Sequence, residues 1–275
     1  MEPANAFLRI AGALFESMEF MQVLMTIALV FGRTVPVIVL TPFLGGRTVP
    51  TEVKMGLSIG VTILVFPLVK DSLTEPVPVA VIPFLALFLK EVFIGFVLGF
   101  INSHLFWAVE MTGRIIDTVR GSSMAEVLVP GSGTRATPFG NMFYNLLVVL
   151  FFAGGHRIFI EAYFFSFKKI PLTQMVDGGS GPLVEHILTI TNEMFFIAVI
   201  LAAPVIAATF ITDVVFGILN RVAQQLNAYF MSMPVKAMAG IIMVLIALYP
   251  FVARLNDFIM WSLRSIETTL EFLAS

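Results

Sequence analysis

The hydrophobic pattern divides the chain into six long apolar runs, separated by short connections that are polar or rich in glycine and proline. None of the runs alternates as a half-buried strand does, and their lengths are typical of helices. The sequence therefore predicts an all-α protein of the membrane class. The runs lie at Phe20–Leu44, Met55–Val69, Val79–Phe100, Phe139–Phe165, Ile187–Leu219 and Pro234–Phe251.

Charges interrupt these runs where a simple membrane span has none. Met55–Val69 is shorter than the roughly 20 residues of a span, and Lys90 and Glu91 are adjacent at the midpoint of Val79–Phe100. A charge at a helix centre costs about 2.5–3.5 kcal/mol on insertion scales. We therefore expect the polar groups to face a protein assembly or an aqueous path. Other interruptions are Arg33, Asn192, Glu193, Pro204, Asp213 and Lys236.

Composition narrows the class further. The chain is 58% hydrophobic and 12% charged, against roughly 25% charged in ordinary soluble domains. A net charge of -2 without a long basic run gives no reason to expect nucleic-acid binding. The absence of cysteine excludes disulfides and thiolate metal sites. An acid and a proline in MEPANAFLRIAG, where a signal peptide is basic, predict that this segment is retained.

Two polar stripes are candidate contact sites. Glu110, Arg114 and Asp117 share one face of a helix at Leu105–Val119, either as an internally paired stripe or as the lining of a channel or subunit contact. Leu219–Phe230 is a helical stripe with polar groups on one side, either a solvated elbow or a contact for a partner subunit. The candidate polar or subunit-contact residues are Lys90, Glu91, Glu110, Arg114, Asp117, Asn220, Arg221 and Gln224.

Glycine patterns indicate packing and a boundary. GFVLG at Gly95–Gly99 and GLSIG at Gly56–Gly60 predict close approach of helices. DGGSGP at Asp177–Pro182 is the most polar linker, and only two long helical stretches follow it. It divides the chain into residues 1–182 and 183–275.

No catalytic constellation is recognisable, so the sequence predicts a non-enzyme without metal or cofactor. The histidines lack HExxH spacing, PGSGT misses the GxSxG elbow, and GSGTRA lacks the GK[ST] ending of a phosphate-binding loop. An ion-coupled secondary transporter using Lys90, Glu91 and Asp213 is the alternative, although no internal repeat supports it. An intramembrane hydrolase is disfavoured by the missing motifs.

The stretch GSSMAEVLVPGSGT, at Gly121–Thr134, combines glycines with bulky apolar residues. Glycines allow the backbone many conformations, whereas Met124, Val127 and Leu128 gain little in a solvated loop. The sequence therefore predicts a mobile apolar loop.

Several motifs together resemble the FliR/SctT family of type III secretion export-gate proteins. The resemblance covers nearly the whole chain and is carried by GRTVPVIVLTPFLGGRTVPTEVKMGLSIGV, KEVFIGFVLGF, GRIIDTVRGSSMAEVLVPGSGTRATPFGNM, LFFAGGHRIFIEAYFFSF and AAPVIAATFITDVVFGILNRVAQQLNAYFMSMPVK. It implies a FliP/SctR-like portion over residues 1–182, fused to a FliQ/SctS-like helical hairpin over residues 183–275. GSSMA, TPFG and LFFAGGH favour the injectisome branch over the flagellar one.

The resemblance also implies a role and partners. The chain is expected in the bacterial inner membrane, within the secretion-system basal body, with FliP/SctR-like, FliQ/SctS-like, FlhB/SctU-like and FlhA/SctV-like components, membrane lipid and unfolded exported proteins. Val129 and Gln224 depart from the family, which often has Asp and Pro there. The implied pore plug consists of Gly121, Ser122, Ser123, Met124, Ala125, Val127, Leu128, Val129, Pro130, Gly131 and Gly133.

Overall fold

The computed structural model describes residues 18–44, 49–70, 73, 75–121, 137–176, 181–223, 225 and 227–274. These residues form α-helices, connecting turns and one short π-helical segment, and no strand occurs among them. The predicted all-α class is therefore confirmed. The elements are α1 (Met18–Leu40), α2 (Thr51–Lys70), α3 (Val81–Val119), α4 (Pro138–Leu150), the π-helical segment Phe151–Gly155, α5 (His156–Lys169), α6 (Gly181–Val222) and α7 (Ala228–Ala274).

Six helical stretches within the described residues are long and apolar enough to cross a membrane. The short run Met55–Val69 gains polar residues at both ends and becomes the 20-residue α2. The apolar run Val79–Phe100 and the polar stripe at Leu105–Val119 form one helix, the 39-residue α3. Two long helices, α6 and α7, form the last part of the chain as predicted, but α6 begins at Gly181, inside the predicted linker Asp177–Pro182.

One helix prediction is wrong. Leu219–Phe230 does not form a continuous helical stripe, because α6 ends at Val222 and α7 begins at Ala228. Asn220 and Asn227 lie at the two sides of this break, and asparagine side chains compete for backbone hydrogen bonds, so a turn is a local alternative to the helix. The stripe therefore contains the connection between α6 and α7.

The chain divides into two compact units, and each is discontinuous in sequence. Unit 1 comprises residues 1–103, 157–186 and 264–275, and unit 2 comprises residues 104–156 and 187–263. The division at residues 182 and 183 concerns likeness to other proteins, and it remains a prediction.

The core of unit 1 contains a close contact between α1 and α3. Gly95 lies against the backbone carbonyl of Arg33, and a Cβ atom built on Gly99 would approach the Pro36 carbonyl oxygen to 3.0 Å. A larger residue at either glycine would force these helices apart, so the first predicted glycine pair is used for close packing. The second pair, Gly56 and Gly60 on α2, faces open space within the described part of the chain.

Helix α2 buries two hydroxyl residues beside Val65 and Val69, and it exposes many apolar residues. Ser58 and Thr62 are buried, and their hydroxyls donate to the carbonyls of Lys54 and Ser58, at 2.8 and 2.7 Å. These local bonds satisfy the hydroxyls without a partner helix. The exposed face of α2 carries Val53, Leu57, Ile59, Ile63, Leu64 and Leu68.

The core of unit 2 is aromatic. Phe106 on α3 packs against Phe151 with ring centroids 5.4 Å apart, and Phe143 on α4 packs against Phe251 on α7 at 4.5 Å. Such offset and tilted ring pairs add to the stabilisation from buried apolar area. The first contact packs the π-helical segment against α3, and the second packs α4 against α7.

Candidate functional site

The segment assigned to a pore plug begins where α3 ends. Residues Ser122–Gly133 lie outside the described residues, so the assignment remains a prediction, and Gly121 alone can be placed. Its backbone N–H donates to the carbonyl of Thr118 at 3.0 Å, and its φ of +83° lies in the left-handed region that favours glycine. A glycine in this conformation is a common helix terminator. Helix α3 therefore stops immediately before the segment.

Asp117 bonds the helix before this segment to the helix after it. Its carboxylate accepts the backbone N–H of Phe139 at 3.0 Å and of Gly140 at 3.3 Å. The first N–H groups of a helix have no intrahelical acceptor, and the preceding Thr137 makes no side-chain cap. A carboxylate at this position also interacts favourably with the helix dipole. Asp117 therefore caps α4 from a position 22 residues earlier in the chain.

Arg120 adds a second contact between α3 and α4. Its guanidinium carbon lies 4.3 Å from the centroid of the Phe139 ring, and Nη2 lies 3.8 Å from Oδ1 of Asp117. Burial lowers the pKa of the Arg120 guanidinium from its usual value, while the charge of Asp117 opposes this shift. The usual pKa of an arginine lies so far above neutral pH that Arg120 stays charged.

The backbones of the two helices also meet at this place. A Cβ atom on Gly113 would overlap the backbone of Gly140, so only glycine at position 113 permits this approach. We call Asp117, Arg120, Phe139 and Gly140 the stem. The stem fixes both ends of the segment that separates α3 from α4.

Glu110 and Arg114 form the other half of the predicted stripe on α3. The Arg114 guanidinium donates to Glu110 at 2.6 Å, one helical turn away. The Glu110 side chain is 10% exposed, whereas that of Arg114 is 52% exposed. The stripe therefore consists of one local ion pair and the capping carboxylate of Asp117. Its predicted role in lining a channel or subunit contact is untested.

Glu91 belongs to a buried charge cluster inside unit 1. The Arg33 guanidinium donates two hydrogen bonds to its carboxylate, at 2.5 and 3.0 Å. Arg33 also donates to the hydroxyl of Ser166 at 3.1 Å and to the Ile170 carbonyl at 2.9 Å, and it stacks on the Phe167 ring. A bidentate pair with further hydrogen bonds is the arrangement that makes a buried ion pair tolerable.

Lys90 extends this cluster to the chain that follows α5. Its ammonium donates to the carbonyls of Pro171, Leu172 and Gln174, at 3.0, 2.9 and 2.9 Å, and lies 2.6 Å from Glu91. Three carbonyls and one carboxylate surround the cation, so Lys90 is both paired and solvated by protein. We call Arg33, Lys90 and Glu91 the charge cluster.

All three residues of this cluster stand out in the sequence as charges inside apolar runs, but their contacts do not. Arg33 is visible as a charge inside an apolar run, but nothing in the pattern pairs it with Glu91, which is 58 residues away. Lys90 is bound by the backbone carbonyls of Pro171, Leu172 and Gln174. Every residue has a backbone carbonyl, so the side chains at these positions do not reveal this role. A search for opposite charges in separate apolar runs would have suggested the Arg33–Glu91 pair.

The polar residues predicted near the end of α6 lie around the turn of the hairpin. Asn220 and Arg221 are exposed, and Gln224 lies outside the described residues. Asn220 borders a cavity of about 190 Å³ together with Asp213 and Tyr229. Asp213 forms an ion pair with Lys236 on α7. A contact role for Asn220 and Arg221 remains a prediction.

Metal chemistry finds no support in the described part of the chain, where no group of three or more His, Asp or Glu side chains could hold an ion. The apolar helices and the internally paired charges define the class instead. They are the features of a multi-pass helical membrane protein, in which charged groups are paired inside the protein.

Comparison with known sequences identifies the family. The family of bacterial export proteins, family 1, matches residues 24–260. Protein T of Yop protein translocation from Yersinia pestis is 28% identical over 225 residues, which cover 81% of this chain and 85% of the relative. The flagellar biosynthetic protein FliR of Bacillus subtilis is 28% identical over 250 residues, or 90% and 93% of the two chains. The secretion system apparatus protein SsaT of Salmonella typhimurium is 32% identical over 170 residues, or 61% and 64%.

The chain therefore belongs to the bacterial export proteins, family 1, the FliR/SctT family of type III secretion export proteins. This membership confirms the family resemblance found in the sequence, and it gives the chain a role in the export apparatus.

Proposed function

We propose that this chain is a structural and gating subunit of the type III secretion export gate. It would form part of an inner-membrane channel through which unfolded proteins pass, without catalysing a reaction itself. Family membership supports the export role. The stem supports the gating role, because it fixes the two ends of an apolar segment at one place.

The segment between the two fixed ends has the chemistry of a reversible seal. Met124, Val127, Leu128 and Pro130 are apolar, and an apolar constriction excludes water and ions. Gly121, Gly131 and Gly133 flank these residues and give the backbone on either side freedom to rearrange. Since Asp117 and Arg120 hold α3 and α4 together, a passing chain would displace the segment without separating the helices.

The alternative of an ion-coupled transporter requires charged groups that exchange partners during transport. Lys90 and Glu91 are bound within the charge cluster, and Asp213 pairs with Lys236. No observation on these residues favours a transported ion. The export-gate function is therefore the better supported of the two.

Removing the segment tests the proposal. We expect deletion of Ser122–Ser132 to raise small-ion leakage several-fold in cells that assemble the complex, because the apolar seal is lost. Leakage is measured as ion-dependent growth inhibition or as conductance of the purified complex. A second variant, Met124→Ser with Val127→Ser and Leu128→Ser, keeps the length of the chain and should also leak.

The control is assembly, measured as co-purification with the FliP-like and FliQ-like subunits. A variant that assembles normally and shows unchanged leakage would show that the segment does not seal the channel.

A further inference from the structure

A groove of about 430 Å³ lies in unit 1, between α5 and the last turns of α7. Four apolar side chains form its floor. Ala162 and Leu270 are buried, whereas Phe165 is 52% exposed. The apolar residues that line the groove are Ile158, Ala162, Phe165 and Leu270.

The rim of the groove is acidic. Glu161, Glu267 and Glu271 contribute three carboxylates, and Lys169 contributes the only ammonium among the residues that line the groove. Glu161 is bonded to Arg157 at 2.9 Å, but both side chains are largely exposed, and such surface pairs contribute little. Glu267 and Glu271 have no ion-pair partner within the described residues. The groove therefore carries unneutralised negative charge above an apolar floor.

This rim differs from most of the exposed surface of the chain. The exposed faces of α2, α6 and α7 carry mainly Leu, Ile, Val and Phe, which suit hydrocarbon or an apolar protein surface. Ionised carboxylates are costly in the hydrocarbon of a bilayer. The groove is thus suited to a polar or charged occupant rather than to lipid chains.

The dimensions of the groove favour a short helical or extended segment. Its lining residues on α5 run from Ile158 to Lys169, which is about 16 Å at the rise of an α-helix. Glu267 and Glu271 are one turn apart on α7, so their carboxylates lie on the same side of that helix. Two cations with a similar spacing on an occupant would face both carboxylates.

We propose that this groove is a docking site for an amphipathic segment of a partner protein that carries at least two Lys or Arg residues beside bulky apolar side chains. The apolar side of the segment covers Ala162, Phe165 and Leu270, and its cations meet Glu267 and Glu271. Charge complementarity selects this occupant, because a neutral or acidic segment would leave the carboxylates uncompensated. The interaction is independent of the sealing segment and goes beyond the proposed gating function.

Photo-crosslinking in the assembled complex tests the identity of the occupant. The side chain of Phe165 is replaced by p-benzoyl-phenylalanine in the full-length chain, the complex is irradiated in native membranes, and the crosslinked peptides are sequenced by mass spectrometry. We expect one peptide from another protein, with two or more Lys or Arg residues within about two helical turns. Adducts with lipid alone, with residues 1–17 of this chain, with a second copy, or with a peptide lacking basic residues would overturn the proposal.

Charge reversal tests the complementarity. We expect Glu267→Lys with Glu271→Lys to lower the crosslinking yield by about tenfold, since two attractions become repulsions. Changing the two basic residues of the captured peptide to Glu should restore the yield. The matched control is Glu52→Lys, which alters an exposed carboxylate on α2 and should leave the yield unchanged.

A milder pair separates loss of docking from loss of folding. Glu267→Gln with Glu271→Gln removes the charge and retains the size of both side chains, and it should lower the yield several-fold. Yields are normalised to the amount of variant chain in the complex. An unchanged normalised yield in both pairs would refute the docking site.

Discussion

At the scale of single residues, the charge cluster explains how this chain accommodates ionised groups in apolar helices. Arg33 and Glu91 are fully buried and form a bidentate pair, and Lys90 is held by three carbonyls. Each charge depends on the others, because a buried charge without a partner is far more costly than a buried pair. Removing one member should therefore be worse than removing two.

The cluster can be tested by comparing a single and a double substitution. We expect Glu91→Leu to destabilise the protein by about 3–5 kcal/mol, because Arg33 is left buried without its carboxylate. Arg33→Met with Glu91→Leu should recover part of that loss, since no unpaired guanidinium remains. Thermal unfolding of the purified complex, followed by loss of co-purifying subunits, gives the order of stability.

The exposed pair Arg157–Glu161 supplies the control. Arg157→Leu should change stability little, because an exposed ion pair contributes at most about 1 kcal/mol. A double substitution less stable than Glu91→Leu alone would contradict the view that the unpaired charge dominates the cost.

At the scale of elements, two glycine pairs with the same spacing have different surroundings. Gly95 and Gly99 on α3 are in close contact with α1, whereas Gly56 and Gly60 on α2 face open space in the described part of the chain. The glycine spacing alone predicts that another helix can pack closely against this face. It does not say which helix does so. The structure supplies that information for α3.

Alanine at matched positions separates the two glycine pairs. We expect Gly95→Ala to destabilise the protein by about 1–3 kcal/mol, because the added methyl group meets the Arg33 carbonyl and the backbone must move. Gly60→Ala should be neutral or stabilising in the isolated chain, since alanine favours a helix by about 1 kcal/mol.

The measurement is thermal unfolding of the monomeric fraction, however small, that size-exclusion chromatography recovers in detergent from the chain expressed alone. If Gly60→Ala is as destabilising as Gly95→Ala, the face of α2 is covered within the chain itself, and the difference between the two pairs does not exist.

Helix identity could be predicted from the sequence because long apolar runs without alternation allow few other structures. Boundaries were less predictable. Helix α3 continues through the polar residues after Phe100, since Glu110, Arg114 and Asp117 find partners one turn away or on α4. The apolar spacing at Leu219–Phe230 continues as in a helix, so it predicted one continuous helix there. The structure has the connection between α6 and α7 at this place.

At the scale of the whole molecule, the exposed surface is too apolar for a chain that works alone in water. Phe195, Phe196, Phe210 and Ile211 on α6 are each more than half exposed. Large exposed apolar patches mark contacts with membrane or with other proteins. This surface supports the proposal that lipid and other export subunits cover the chain.

Purification distinguishes an assembled subunit from an independent transporter. We expect the chain to aggregate or give low yield when expressed alone, and to co-purify in a defined complex when FliP-like and FliQ-like subunits are co-expressed, because they cover its apolar faces. Size-exclusion chromatography with light scattering reports both states. A stable isolated chain that binds a small solute would instead favour a transporter.

The candidate site could be predicted only in part. The sequence identified Asp117 as a polar residue on a helix face, but not its two backbone partners, because an N–H group leaves no trace in the choice of side chain. Glycines at 113 and 140 were the available signal that two backbones meet there. The partners of Lys90 could not be predicted either, since backbone carbonyl oxygens, which every residue has, accept its hydrogen bonds.

The stem also has a mechanical consequence. A chain that pulls on the segment after Gly121 transmits its force to the ends of α3 and α4. There the carboxylate of Asp117 accepts two backbone N–H groups, and the guanidinium of Arg120 stacks on the Phe139 ring. The contacts of the stem resist the unravelling of α4, whereas the movement of the segment does not require these contacts to break. In the proposed gate, the apolar segment would therefore yield to a passing chain while the helices that carry it remain folded.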